Sequence, residues 1–207
     1  MRRFHWNSIL TVAALFYFFA TRPAASQTRW DENSLEAYDT CSFSDGLQIV
    51  RTDSLPPGVA TRPVETDNGP QQIEMLAGHR IMLAYPSADF YANVKAEILP
   101  ATKFTQLKGF LLGNFEHMAH GNTVNKALTS PLNGFEVHGL DRENLEGGVL
   151  GVYLLFDAPY HAVTTVYLLN QKPEHRKFQT IKEYRSLRDR FLKAYTACIR
   201  ENQRHSN

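Results

Sequence analysis

The sequence predicts an α+β protein: a mainly antiparallel sheet of about six strands, packed with two main helices as an α/β/α-like sandwich. Two adjacent apolar runs, at 149–156 and 162–169, have the length and the β-branched and aromatic content of strands. The short gap between them contains Asp157 and Pro159, which favours an antiparallel hairpin. Apolar residues at helical spacing near 102–120 and 180–202 predict the two helices.

Both faces of this hairpin are apolar. Strict alternation assigns the first strand's side chains to two faces: Leu150, Val152, Leu154 and Phe156 to one, and Val149, Tyr153 and Leu155 to the other. Neither set is polar enough to face water. We therefore expect the hairpin at the centre of a sheet that is covered at least partly on both sides.

The remaining strands are predicted from alternation and turn residues. They comprise a tight hairpin of 72–76 with 79–85, a half-buried strand at 92–98, and strands at 124–128 and 135–140. Residues 46–51 are a candidate edge strand. The proline-rich stretch 52–70 is predicted to be a long surface loop, and 141–148 a charged loop before the central hairpin.

The final helix carries an apolar stripe that includes Tyr184, Phe191, Tyr195 and Cys198. Arg188 lies at the edge of this stripe. Two interpretations are open: its long stem snorkels to solvent, or its charge forms a buried ion pair, for instance with Asp141 or Glu143.

The N-terminus has the pattern of a secretory signal peptide. Arg2 and Arg3 precede an apolar segment at 9–20, and small residues lead up to Ser26. We expect cleavage after Ser26, export to the periplasm or the medium, and no stable membrane span afterwards; an uncleaved signal anchor is the alternative. The predicted organisation is then an N-terminal segment with a proline-rich loop at 27–71, one domain at 72–202 and a polar tail at 203–207.

The chain contains two cysteines, Cys41 and Cys198. In an oxidising compartment such a pair predicts one disulfide, which would tie the N-terminal segment to the last helix. Two buried free thiols are the competing interpretation. Basic and acidic side chains number 22 and 21, so no concentrated positive charge supports binding of nucleic acid.

Several segments together resemble the PsbP/Mog1-like sandwich, a fold shared by photosystem II extrinsic proteins, a Ran-binding factor and many uncharacterised bacterial proteins. The resemblance is carried by 80–86 (RIMLAYP), the helix after 98–100, 134–139 (GFEVHG), the central hairpin and the final helix. It spans about residues 72–198 and contains no catalytic motif. It implies a binding or assembly module, although a fold by itself assigns no function.

Histidines are the main candidates for chemistry. His117 and His120 stand three residues apart near the end of the first helix, a spacing that two ligands of one metal can use; His at a helix C-terminus also complements the helix dipole. In the central turn, Asp157 could orient His161 as a general base, and turn residues are polar in any case. His138 is expected at a half-buried strand position.

No motif for a cofactor or a catalytic nucleophile accompanies these residues. A Gly-rich phosphate loop and the Gly-x-Ser-x-Gly pattern are both missing. We therefore expect an exported, non-catalytic module that binds an unknown protein or small ligand, without a cofactor. The alternative is a small exported hydrolase or metal-dependent enzyme that uses Asp157, His161 and His138.

Overall fold

A computed structural model describes residues 32–55, 60–66, 69–75, 78–120 and 125–205. The predicted signal peptide lies outside these residues. Within them the chain forms three α-helices: α1 (Glu32–Asp39), α2 (Ala101–His120) and α3 (Ile181–His205). It also forms nine strands: β1 (Gln48–Leu55), β2 (Ala60–Thr66), β3 (Gly69–Met75), β4 (Gly78–Tyr85), β5 (Phe90–Ile98), β6 (Asn125–Leu132), β7 (Phe135–Arg142), β8 (Val149–Asp157) and β9 (Ala162–Leu169).

The main sheet has seven strands in the order β1-β4-β5-β9-β8-β7-β6, where about six were expected. Every neighbouring pair is antiparallel. The sheet consists of two meanders, β1-β4-β5 and β6-β7-β8-β9, which meet where β5 pairs with β9. The α+β class is confirmed, and the predicted central hairpin is β8 and β9.

Strands β2 and β3 form a separate two-stranded sheet. Two predictions are therefore wrong: residues 72–76 pair with β2 instead of β4, and the proline-rich stretch 52–70 contains strands. The physical reason is that each strand of a two-stranded ribbon has a free edge. Pro63 and Pro70, which lack an N–H, can occupy such an edge without removing a ladder hydrogen bond. The same reasoning explains Pro131, which lies within the edge strand β6 instead of in a connection.

Apolar side chains of the sheet belong to two clusters. On β8, Val152, Leu154 and Phe156 join the cluster that contains α2 residues, while Tyr153 and Leu155 join the cluster that contains α1 and α3 residues. Since successive residues of a strand point to opposite faces, the two clusters lie on opposite faces of the sheet.

A β-bulge at the start of β8 corrects the predicted alternation. The register with β9 shifts between Val149 and Gly151. As a result Leu150 belongs with Tyr153 and Leu155, and Val149 packs with the opposite cluster. The predicted faces were right for Val152 to Phe156 and wrong for these two residues, because one extra residue inverts the alternation.

Cys41, just after α1, forms the predicted disulfide with Cys198 of α3; their Cα atoms lie 5.7 Å apart. Around it, the Tyr195 hydroxyl donates to the carbonyl of Tyr38 at 3.1 Å. The amide of Asn202 donates to the carbonyl of Ala37 at 3.2 Å. The disulfide therefore belongs to the contact that holds α1 against α3. None of the helices in the described ranges has the length and apolar content to cross a membrane.

Reduction of the disulfide should destabilise the protein. The two cysteines are 157 residues apart, and the chain-entropy model gives up to about 5 kcal/mol for closing a loop of this length. We expect urea denaturation of the oxidised protein to occur at clearly higher urea than that of the reduced protein. The double variant Cys41→Ser/Cys198→Ser is the control and should match the reduced protein. Coincident curves for the oxidised and reduced forms would contradict the stabilising role.

Candidate functional site

A buried carboxylate anchors α3 to the sheet. Asp141 near the end of β7 is fully buried and accepts a hydrogen bond from the Tyr153 hydroxyl at 2.6 Å. Arg188 of α3 donates to it at 2.6 Å, and Arg185 at 3.2 Å. Arg188 is itself only 7% exposed. Of the two interpretations of Arg188, the buried ion pair with Asp141 is therefore the correct one. Asp141 was expected in the loop 141–148. It can pair with Arg188 because β7 extends to Arg142 and so includes Asp141.

Two glycines make room for this cluster. Gly139 is the cross-strand partner of Tyr153, and a Cβ on it would lie 2.5 Å from the tyrosine ring. A Cβ on Gly151 would lie 2.6 Å from the Tyr184 hydroxyl. The Tyr153 hydroxyl can reach Asp141, and the Tyr184 hydroxyl can lie against Gly151, because both strand positions lack a side chain. Glycine inside an apolar strand was the sequence signal for a close approach of this kind.

Burial determines the protonation of the cluster. It raises the pKa of the Tyr153 and Tyr184 hydroxyls far above the ordinary value, and the nearby Asp141 charge raises that of Tyr153 further. Burial lowers the pKa of Arg188, but Tyr153 and Asp141 more than offset this, and the net change is upward. Arg188 is therefore a fixed cation that faces a buried carboxylate, and these groups hold the structure together.

Asp157, one of the predicted site residues, is the second buried carboxylate on this side. Its Oδ2 accepts hydrogen bonds from Arg200 Nη1 at 2.6 Å and from Gln203 Nε2 at 3.0 Å. Arg200 also donates to the carbonyl of Asn133 at 2.8 Å and lies over the Phe135 ring, 4.1 Å from its centroid. Asp157 therefore links the end of β8 to the last turns of α3.

His161 is directed to the other side of the sheet. It has a positive φ of 49° and follows the 3-10 turn Ala158–Tyr160. Its ring packs against Phe104 of α2, with 5.8 Å between the centroids. Among the described side-chain contacts, no hydrogen bond joins Asp157 to His161, because the first faces α3 and the second faces α2. The structure does not bring the predicted pair together.

His138 has partners that the sequence analysis missed. Its Nε2 lies 2.8 Å from Glu136 Oε1, and its Nδ1 lies 3.4 Å from Thr129 Oγ1. The second carboxylate oxygen of Glu136 forms an ion pair with Lys108 of α2. Thr129 is the cross-strand neighbour of His138, and only the register of β6 against β7 reveals that proximity. The i, i+2 spacing of Glu136 and His138 was the one signal available in the sequence.

The proposed metal ligands His117 and His120 are both exposed in the last turn of α2. Three or more His, Cys, Asp or Glu side chains suited to hold a metal ion do not come together anywhere in the described part of the chain. The residues that the structure describes therefore supply no third ligand for the pair.

Part of the sheet face on the α2 side is polar and lies outside the apolar cluster. Among the described residues, the buried strand side chains of that cluster come from β7, β8 and β9. Further along the same face, Met82, Asn93 and Tyr167 are cross-strand neighbours in one row. We define the polar face as five residues: Met82, Tyr91, Asn93, Lys95 and Tyr167. Asn93 is exposed and the other four are half-buried.

Charges around the polar face are paired locally. Arg51 and Asp53 on the edge strand β1 form an ion pair at 3.1 Å. Lys95 and Glu97 on β5 form another at 2.8 Å. Arg80 lies on the same face, cross-strand from both Asp53 and Lys95. The surface therefore combines aromatic, amide and thioether side chains with three cations and two anions.

Comparison with known proteins assigns no family. No protein-family model matches the chain, and no curated protein or solved structure is significantly similar to it.

Removal of the buried negative charge should cost much stability. Asp141→Asn removes the buried counter-charge of Arg188 and leaves it paired with the exposed Asp189; breaking a buried pair typically costs about 3–5 kcal/mol. Arg185→Ala is the control: this side chain is 32% exposed, and a partly solvated partner contributes less than about 1 kcal/mol. The free energy of unfolding from urea denaturation measures both. Equal losses in the two variants would contradict the special role of the Asp141–Arg188 pair.

The glycine requirement can be tested separately. Gly139→Ala places a methyl group against the fully buried Tyr153 ring, and such overpacking costs about 1–3 kcal/mol. Gly148→Ala is the matched control, since a Cβ there meets no atom within 4 Å; a change of no more than about 0.5 kcal/mol is expected. Thermal denaturation compares the two variants. If Gly139→Ala were as stable as Gly148→Ala, Tyr153 could not lie where the structure puts it.

Proposed function

We propose that the protein is an exported binding or assembly module that holds a partner protein against its polar face. We further propose that the domain is an α/β/α-like sandwich related to the PsbP/Mog1-like proteins. The two apolar clusters on opposite faces of the sheet support this arrangement. The Cys41–Cys198 disulfide supports export, because such bonds persist in oxidising compartments. Cleavage after Ser26 remains a sequence prediction.

One observation carries the functional proposal: the contrast between the two faces of β4 and β5. On one face, Ala92, Val94 and Ala96 are buried in the cluster that contains α1 and α3 residues. On the other face, β5 presents Tyr91, Asn93 and Lys95 with partial or full exposure. Tyrosine and methionine on a surface that also carries polar groups are typical of protein interfaces.

The shape and charge of the polar face favour a protein over other ligands. Small molecules bind in concave pockets that bury most of their surface, whereas these side chains stand in register on a pleated sheet. Two local ion pairs and Arg80 give these charged side chains a net charge of only +1, which is not the concentrated positive charge that nucleic acid requires.

The enzyme alternative that used Asp157, His161 and His138 receives no such support. Asp157 is bound by Arg200 and Gln203 and is fully buried. His161 and His138 lie on the α2 side of the sheet, packed against Phe104 and Phe156. A shared reaction centre would require the three groups to converge on one substrate.

A charge placed on the polar face should abolish partner binding. Asn93→Arg puts a long cation at the exposed centre of the face, and Ser186→Arg puts the same side chain at an exposed position on α3. We expect the wild type and Ser186→Arg to co-purify the same partner from the envelope fraction after cross-linking, and Asn93→Arg to lose it at least about tenfold, equivalent to 1.4 kcal/mol. Equal recovery with both variants would contradict the proposed surface.

A further inference from the structure

The hydroxyl of Thr129, the imidazole of His138 and the carboxylate of Glu136 lie in a row across β6 and β7. Thr129 Oγ1 lies 3.4 Å from His138 Nδ1, on one side of the imidazole ring. Glu136 Oε1 lies 2.8 Å from His138 Nε2, on the other side. Because Glu136 and His138 are two residues apart on β7, both side chains project from the same face of the strand. This arrangement is separate from the polar face and does not depend on its function.

Neighbouring side chains fix the geometry of the imidazole. The ring of Phe156 meets the His138 ring edge-on, with 6.0 Å between the centroids. Lys108 lies over the same phenyl ring, 5.4 Å from its centroid, and forms an ion pair with Glu136 Oε2. Since Lys108 engages one carboxylate oxygen, the other is left to face His138. Side chains from α2, β7 and β8 thus orient the ring.

The protonation of Glu136 determines the direction of the hydrogen bonds. Hydrogen bonds from Lys108 and His138 lower the pKa of Glu136, so its carboxylate is ionised at neutral pH and can only accept. In the neutral form of His138 the ring proton therefore lies on Nε2. Nδ1 then presents its lone pair to Thr129, and the hydroxyl is the donor.

We propose that Thr129 is an acyl-acceptor site, with His138 as its general base and Glu136 as the residue that positions the base. The acyl donors would be esters or thioesters of small carboxylic acids. Thr129 Oγ1 forms a bond to the acyl carbon and its proton passes to His138 Nδ1. The bond between the acyl carbon and the leaving oxygen or sulfur breaks, and the leaving group takes that proton from His138. The product is an O-acylated threonine.

Access to the hydroxyl comes from the edge of the sheet. Thr129 is exposed, and β6 is the last strand of the described sheet, so an acyl donor can approach from its outer side. His138 and Glu136 have side chains that are 20% and 44% exposed. The 3.4 Å separation is longer than a strong hydrogen bond, as is common before a substrate binds.

The test uses p-nitrophenyl acetate as the acyl donor and the full folded chain. Peptide mass spectrometry measures the rate of acetylation at Thr129 and at Thr105, an exposed threonine of α2 whose hydroxyl donates to the Ala101 carbonyl. We expect Thr129 to be acetylated at least about 100-fold faster than Thr105, the lower end of general-base effects. Thr129→Val, which has the same shape without the hydroxyl, should leave that peptide unmodified.

Variants of the two supporting residues separate activation from folding. His138→Gln should reduce acetylation of Thr129 to the rate at Thr105, and Glu136→Gln should reduce it at least about tenfold, while Glu136→Asp restores part of the rate. Circular dichroism checks that each variant is folded. Equal rates at Thr129 and Thr105 in the wild type, or a Thr129 rate unchanged in His138→Gln, would overturn the proposal.

Discussion

The two buried aspartate–arginine pairs between the sheet and α3 are the constraint on which the rest of the structure depends. Arg188 donates a hydrogen bond to Asp141, and Arg200 donates one to Asp157, both at 2.6 Å. A buried carboxylate without such partners would be strongly destabilising. The pairs therefore favour one position of α3 along the strands, since a shift by one turn of about 5.4 Å would move Arg188 and Arg200 away from their aspartates.

This constraint accounts for features elsewhere in the chain. Gly139 and Gly151 lack side chains, which leaves room for the Tyr153 ring, whose hydroxyl donates to Asp141, and for the Tyr184 hydroxyl. The disulfide adds α1 to the same side of the sheet, where Tyr38 is fully buried. The two aspartates and their arginine partners on the α3 side are therefore engaged in holding the fold. We infer that partner binding and reactivity belong to the opposite face, where Asn93 and Thr129 are exposed.

The sequence predicted the helices and strands better than it predicted how the strands pair and in which register. The periodicity of the two long helices and the apolar runs of β8 and β9 reflect burial directly, and those elements were confirmed. The pairing of β2 with β3 and the bulge at Val149 were missed, because register depends on partners far away in the chain. The disulfide was predictable because only two cysteines are present.

Side-chain contacts were the hardest to predict for the same reason. Asp141 was predicted to begin a loop, and its pairing with Arg188 spans 47 residues. The sequence spacing suggested Glu136 as a neighbour of His138, but only the alignment of β6 with β7 placed Thr129 beside it. Asp157 and His161 are close in sequence, yet the turn between two paired strands sends them to opposite faces.

Native-state hydrogen exchange tests most directly whether α3 and the sheet form one cooperative unit through the buried pairs. If they do, the amides of α3 between 188 and 200 will exchange with the same free energy of opening as those of β8, which is the free energy of global unfolding. Amides of α3 that open several kcal/mol more easily than those of β8 would show that the helix detaches independently. Independent detachment would contradict the central role of the two aspartate–arginine pairs.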